Sequence, residues 1–268
     1  MKNGLIDTYA INIAVLATCK DVFVYFSTLW SKLYSMTKKP TILLKYLTVF
    51  SAFGGVALSL IYARQDGYSH WSRRLLYFTA QSNIWIGITF LLLLLLPLKK
   101  KNAELWKARL YLLKYIFTVC ITMTGFIFCC LLAPFADEAY RPWSLCNLLT
   151  HVFTPILVIA DLFLDEYPIV IDNKRIFLSL VPFLLYSFTA SLLGFAHTDF
   201  GRGVPYPYFF FNYTSPAGVF GFSNVYPFYV GSFYWLFLFG WIILGIAYLY
   251  AHWLNKSICK EKKKRRSA

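Results

Sequence analysis

Thr79, in the stretch YFTAQSN (residues 77–83), and His151, in NLLTHVFTP (residues 147–155), are the side chains of this chain best suited by type to covalent chemistry. A threonine hydroxyl is a weak nucleophile until a base removes its proton, and neutral imidazole is the usual base near neutral pH. Such a pair could run acyl transfer: the hydroxyl attacks an ester, and the imidazole takes its proton and later returns it to the leaving group. The neighbours are polar as well. At 100° per residue, Asn83 lies about 40° and Ser82 about 60° around a helix from Thr79, whereas Gln81 lies about 160° away. Thr79, Ser82 and Asn83 therefore share one face. Asn147 and Thr154 bracket His151 at i−4 and i+3. Asn83 and Ser82 are candidate donors to an oxyanion, and Asn147, Tyr206, Tyr208 or an outer-loop acid is a candidate to orient His151, unless the pair acts as a dyad. Pro155 lacks the N–H that would bond the carbonyl of residue 151, which opens the backbone at the histidine.

The elements that must position these groups are membrane helices. Of the 268 residues 59% are hydrophobic and only 14% charged, far from a soluble globular average. Six runs approach the roughly 20 apolar residues that cross a hydrocarbon core: 42–63, 75–97, 110–134, 145–164, 176–196 and 228–253. Lipid offers the backbone no hydrogen-bond partners, so such runs must be helical, whereas barrel strands would alternate in shorter segments. The fold class expected is an all-α polytopic membrane protein, a bundle of six transmembrane helices. Residues 1–41 are expected to form an interfacial helix, because Lys20 and Asp21 sit in the middle of their apolar stretch. Domains follow as 1–41, a transmembrane domain over 42–253, and a basic tail over 254–268.

Lys and Arg concentrate in 1–41, 98–109, 165–175 and the tail, and are sparse in 64–74, 135–144 and 197–227. The first set of loops, and the C-terminus with it, is expected on the cytoplasmic side of the cell membrane. Lys45 and Lys114 lie near cytoplasmic span ends, where they are expected to snorkel. At 1.5 Å per residue from the outer boundary, Thr79 falls about 6 Å and His151 about 9 Å deep, so the two share a level. Asp161, about 15 Å along the same helix, is out of reach of His151 and reads as a contact between helices. Above them runs the long outer loop 197–227 with VPYPYFFFNY (204–213). Its Pro and Tyr content points to an ordered lid, with Tyr206, Tyr208 and Phe209 facing the pocket.

The partners expected are membrane lipids, a lipid ester as substrate, and anionic headgroups for the tail KSICKEKKKRRSA, which supplies much of the net charge of +14. Nucleic acid is not expected. The cysteines have no metal spacing and read as small apolar residues, so neither a metal nor another cofactor is called for. Two other readings use the same polar residues. A transporter or receptor-like bundle would bind a solute or relay protons through His151 and Asp161, helped by Pro155 and Pro182. A metal site would gather His70, His151 and His197.

The stretches YFTAQSN, NLLTHVFTPILVIAD and PYPYFF together resemble the androgen-induced-gene and androgen-dependent-regulator family of multi-span membrane proteins, in its bacterial branch, over approximately residues 42–253. Animal members are threonine hydrolases that cleave fatty acid esters of hydroxy fatty acids. The resemblance implies that Thr79 and His151 are the membrane-embedded pair and that Asp161 is the family's acidic residue ten positions after the histidine. The Gln-Ser-Asn after Thr79, the offset proline, the leader and the basic tail depart from the animal pattern. The acyl ester cleaved is left open by those differences.

Overall fold

The computed structural model describes residues 40–96, 104–134, 141–225, 227 and 229–267. The chain divides into two units, Met1–Leu43 and Leu44–Ala268. Of the first only residues 40–43 are described, so the expected interfacial helix lies outside the described residues.

The chain forms an all-α bundle, and six helices among the described residues are long and apolar enough to cross a membrane. Helix α1 spans Pro40–Ile61, with Pro40 at its first position, where the missing N–H removes nothing. Helix α2 spans Phe78–Leu95 and starts three residues later than the hydropathy pattern suggests. The reason is local. Residues Trp71–Leu76 form a 3-10 turn capped by His70, whose Nδ1 accepts from the Ser72 N–H, and extended Tyr77 then breaks the turn before α2 begins.

Helix α3 spans Glu104–Ile127 and continues through a π-helical turn, Phe128–Leu132. The next span opens with α4, Leu145–Leu148, passes through a second π-helical turn, Leu149–Phe153, and runs on as α5, Thr154–Leu164. Pro155 explains the second π turn: the Thr154 N–H bonds the carbonyl of Leu149, five residues back, so one extra residue is absorbed just before the ring that cannot donate. The fifth span consists of α6, Asn173–Leu178, and α7, Val181–Phe195. Helix α8 runs without a break over Ser232–Ser267, so the boundary expected at 254 falls inside it.

Helix α3 is the central element, packed against α2, α5 and α8. Its buried face, with Tyr115, Val119 and Met123, meets Phe78, Phe183, Phe239 and Ile243. Faces turned away from the bundle carry Phe50, Leu184, Phe188, Phe237 and Trp241, all well exposed, as lipid-facing positions should be. Lipid tails are as apolar as these side chains, so close packing and hydrogen bonds between helices, rather than hydrophobic burial, must hold the bundle together. Glycine supplies the close packing at two points: a Cβ on Gly55 would stand 2.7 Å from Thr150 Cγ2, and one on Gly125 would stand 2.8 Å from the His151 carbonyl oxygen.

Charge supplies the rest at the end of the bundle away from Thr79. Lys45 and Lys114 do not snorkel there. Both are buried, Lys114 completely, and both pair with acids of α5 and its cap. Lys45 Nζ reaches Asp161 Oδ1 at 2.7 Å and Asp165 Oδ2 at 2.9 Å. Lys114 Nζ reaches Asp165 Oδ2 at 2.6 Å and also pairs with Asp161. Tyr111 donates to Asp165 Oδ2 at 3.1 Å. Snorkelling is the escape of a lone cation; here two carboxylates four residues apart on one helix face offered two cations a nearer partner.

The long loop is ordered, and it is pinned rather than draped. Asp199 accepts from the N–H groups of Gly201 at 2.7 Å and Gly203 at 2.9 Å, and from Ser69 Oγ at 2.8 Å. These bonds, led by the Gly201 N–H, hold the Asp199 carboxyl below its usual range, so it stays ionised at neutral pH. Farther on, a 3-10 turn over Phe209–Phe211 drives Phe210 and Phe211 into the core, where Phe210 meets the Phe239 ring at 4.9 Å. That insertion fixes the residue just before it, Tyr208.

Candidate active site

Thr79 stands in the first turn of α2, and His151 in the π turn between α4 and α5. Thr79 Oγ1 lies 3.1 Å from His151 Nε2. Which atom donates is decided by the other ring nitrogen. His151 Nδ1 lies 3.2 Å from the Asn147 carbonyl and 3.0 Å from Thr150 Oγ1. A carbonyl only accepts, and the Thr150 hydroxyl hydrogen is committed to the Cys146 carbonyl at 2.8 Å. Nδ1 must therefore carry the proton. Nε2 is left as a bare acceptor, so the Thr79 O–H donates to it, which is the arrangement a general base requires.

The π turn accounts for this geometry. Its slack lets the carbonyl of residue 147 reach the imidazole four residues on. Carbonyls of the turn also accept from side chains: Leu149 accepts from Ser51 Oγ at 3.1 Å and from Thr154 Oγ1 at 2.8 Å, and Thr150 accepts from Asn83 Nδ2 at 3.2 Å. Phe128, at the start of the other π turn, stacks on the imidazole with ring centroids 4.2 Å apart. Gly125 lets α3 come close enough for that contact. Replacing Gly125 by valine drives its side chain into the His151 carbonyl and Pro155 ring. It is expected to lower bundle stability by about 1–3 kcal/mol, seen as a lower thermal midpoint in detergent.

The late start of α2 has a chemical effect. The first bond reaching back over its opening turn runs from the Gln81 N–H to the Tyr77 carbonyl, at 3.2 Å, so the N–H groups of Phe78, Thr79 and Ala80 precede it and carry the positive end of the helix dipole. The Tyr208 hydroxyl sits there, 3.3 Å from Thr79 Oγ1. Burial raises the Tyr208 hydroxyl to about 12, so it keeps its proton at neutral pH and can donate.

The expected support residues are placed differently from one another. Asn83 and Ser82 are fully buried, outside the cavity wall, and tie helices together. Asn83 Nδ2 donates to the Thr79 carbonyl at 2.8 Å as well as to Thr150, and Ser82 Oγ lies 3.2 Å from both the Thr79 carbonyl and Thr124 Oγ1. Their donors are used up, so neither faces a developing oxyanion. Asn147 does reach the site, through its carbonyl, while its amide donates to the Arg141 carbonyl at 3.0 Å. Tyr206, Tyr208 and Phe209 line the cavity with Thr79 and His151. Asp161 is engaged with the lysines at the other end of the bundle. Among the described residues no three of His, Cys, Asp and Glu gather closely enough to hold a metal ion. The sequence offered Tyr208 as a lid residue and a possible partner of His151, but not as a donor beside Thr79, and the bare helix start was not read from it.

The cavity has a volume of about 420 Å³. A smaller apolar cavity of about 30 Å³, walled by Phe78, Met123, Ile127, Phe183, Phe211 and Phe239, adjoins it through Thr79, Leu132 and Tyr208, which line both. Thr79 thus stands where a roomy chamber of mixed lining meets a narrow aromatic slot. No known protein family, curated protein or solved structure matches the chain.

Proposed function

We propose that this protein is a membrane-embedded hydrolase of lipid-type esters, with Thr79 as nucleophile and His151 as general base. One observation carries the reading: the Thr79 hydroxyl donates to a His151 Nε2 whose tautomer is fixed by the Asn147 carbonyl, in the wall of a cavity large enough for a substrate. The resemblance of YFTAQSN and NLLTHVFTPILVIAD to the membrane threonine hydrolases supports the same assignment. The distribution of Lys and Arg supports a cell-membrane orientation with the C-terminus in the cytoplasm, which sets the site just below the outer surface.

The chemistry follows from the contacts. His151 Nε2 takes the Thr79 proton as Oγ1 bonds the ester carbonyl carbon. The negative charge that gathers on the carbonyl oxygen is met by the Tyr208 O–H and by the N–H groups at the start of α2. Collapse of this intermediate breaks the bond to the alcohol, which leaves with the proton from His151. Water, deprotonated by the same Nε2, then releases the carboxylic acid and restores the Thr79 hydroxyl. We assign the start of the acyl chain to the aromatic slot and the alcohol portion to the larger chamber.

Purified protein in detergent is expected to turn over p-nitrophenyl esters, with preference for acyl chains long enough to enter the slot. Absence of turnover across a series from acetate to palmitate, with the protein folded, would overturn the hydrolase reading. Removing one donor to the oxyanion typically lowers kcat by about 10²-fold or more. Tyr208→Phe is expected to do so with KM little changed, since its ring packing against Tyr77 and Phe210 is retained.

A further inference from the structure

The slot beside Thr79 has a volume of about 30 Å³, room for about two water-sized groups. All but the first carbons of a long acyl chain therefore need a further path. A second space of about 370 Å³ lies between α2, α3 and α7, lined by Gln81, Trp85, Phe117, Pro182 and Leu185. Tyr186 lines both the slot and this groove. Val181 and Leu185, also in the groove wall, are well exposed on a membrane-spanning segment, so the groove faces lipid. Trp85 follows Thr79 by six residues on α2, which sets the groove about 9 Å farther along that helix, toward the middle of the bilayer.

The partition between the two spaces is made of rings. Phe78 and Tyr186 have centroids 5.0 Å apart, Phe78 meets Trp85 at 5.9 Å, and Trp85 meets Phe117 at 5.5 Å. Tyr186 is buried, yet its hydroxyl has no hydrogen-bond partner among the described residues. Such a group costs about 1–3 kcal/mol, and no hydrogen bond has to break for the side chain to turn aside. The groove itself suits an alkyl chain, because its polar donors are spent: Gln81 Nε2 donates to the Leu75 carbonyl at 3.1 Å, and Thr189 Oγ1 to the Leu185 and Tyr186 carbonyls at 3.0 Å.

We infer that the acyl chain runs from Thr79 through the slot, past Tyr186, into the lipid-facing groove, and that Tyr186 sets which chain lengths are accepted. This rests on the hydrolase reading for the chemistry at Thr79 and adds the route by which the chain enters sideways from the bilayer. About seven carbon–carbon bonds cover the 9 Å, so an octanoyl chain reaches the groove and an acetyl group does not.

Photolabelling tests the route without turnover. Thr79→Ala protein in detergent is irradiated with p-nitrophenyl hexadecanoate bearing a diazirine at carbon 10, and the adducts are mapped by mass spectrometry. They are expected on Trp85, Phe117 and Leu185, and an excess of plain p-nitrophenyl hexadecanoate, but not of the acetate, should remove most of them. Tyr186→Ala should raise these competed adducts severalfold, and Tyr186→Trp should lower them about fivefold. Leu185→Trp, at an exposed position that tolerates substitution, fills the groove from outside and should lower the Trp85 and Phe117 adducts as well. Adducts confined to the larger chamber, or groove adducts untouched by the competitor and by both tryptophan variants, would overturn the route. Competed groove adducts in a protein that hydrolyses no ester would retain the route and sink the hydrolase reading; ester hydrolysis with the chain labelling only the larger chamber would do the reverse.

Discussion

Thr79→Ala is expected to lower ester turnover by about 10⁴-fold, to the level left by binding and by the oxyanion donors. His151→Gln should fall almost as far, because a glutamine cannot take the hydroxyl proton. The informative variant is the double one. Residues that act as a unit are grossly non-additive, so Thr79→Ala/His151→Gln should be no slower than Thr79→Ala alone. Additive losses would mean that the 3.1 Å contact joins two helices without joining two halves of a mechanism. Thr79→Ser is the control for the hydroxyl itself and should keep a substantial part of the activity.

The second large effect is on stability. Lys114 is fully buried and serves Asp161 and Asp165 together, so Lys114→Met leaves two desolvated carboxylates sharing only Lys45. Breaking a buried ionic cluster from one side typically costs about 3–5 kcal/mol. SDS titration of the purified protein in mixed micelles should show a loss of that order. The double variant Lys114→Met/Asp161→Leu restores the match of charges, one lysine to one aspartate, and should recover most of it. Activity per folded molecule should hardly change, since Asp161 lies about 15 Å along the helix from His151. A single variant that costs under about 1 kcal/mol, or a double variant that is simply additive, would contradict the account of the cluster.

Those two results bear on parts of the molecule that were unequally legible in the sequence. The spans were plain, because a run of 20 apolar residues admits few structures. Thr79 and His151 could be matched because depth along a membrane helix is nearly a matter of counting. What counting could not supply was the irregular backbone. Extended Tyr77 moves the start of α2 and turns Thr79 from a residue within a helix into one at its bare N-terminus. The π turn at 149–153 puts the Asn147 carbonyl, and not its amide, against the imidazole. Hydrogen-bond bookkeeping of that kind depends on single residues of slack, which hydropathy does not register. Asn83 shows the same limit: its helical angle was right for a neighbour of Thr79, yet both amide hydrogens go to carbonyls.

The lysines show a second kind of limit. Lys45 and Lys114 each lie near a span end, and one at a time they read as snorkelling cations. Asp161 and Asp165, four residues apart on one face, were the available signal, and only the packing of α1, α3 and α5 shows that all four charges meet. Tyr208 is a third case. Its motif marked the loop as a lid, but insertion of Phe210 and Phe211 into the core is what brings the hydroxyl to 3.3 Å from Thr79 Oγ1.

The measurement that bears most directly on the Thr79–His151 pair is the site of covalent capture. Purified protein treated with a fluorophosphonate probe, digested and sequenced by mass spectrometry, should carry the adduct on Thr79, and labelling should vanish in Thr79→Ala and drop sharply in His151→Gln. An adduct on another residue, or undiminished labelling of Thr79→Ala, would contradict the assignment of the nucleophile.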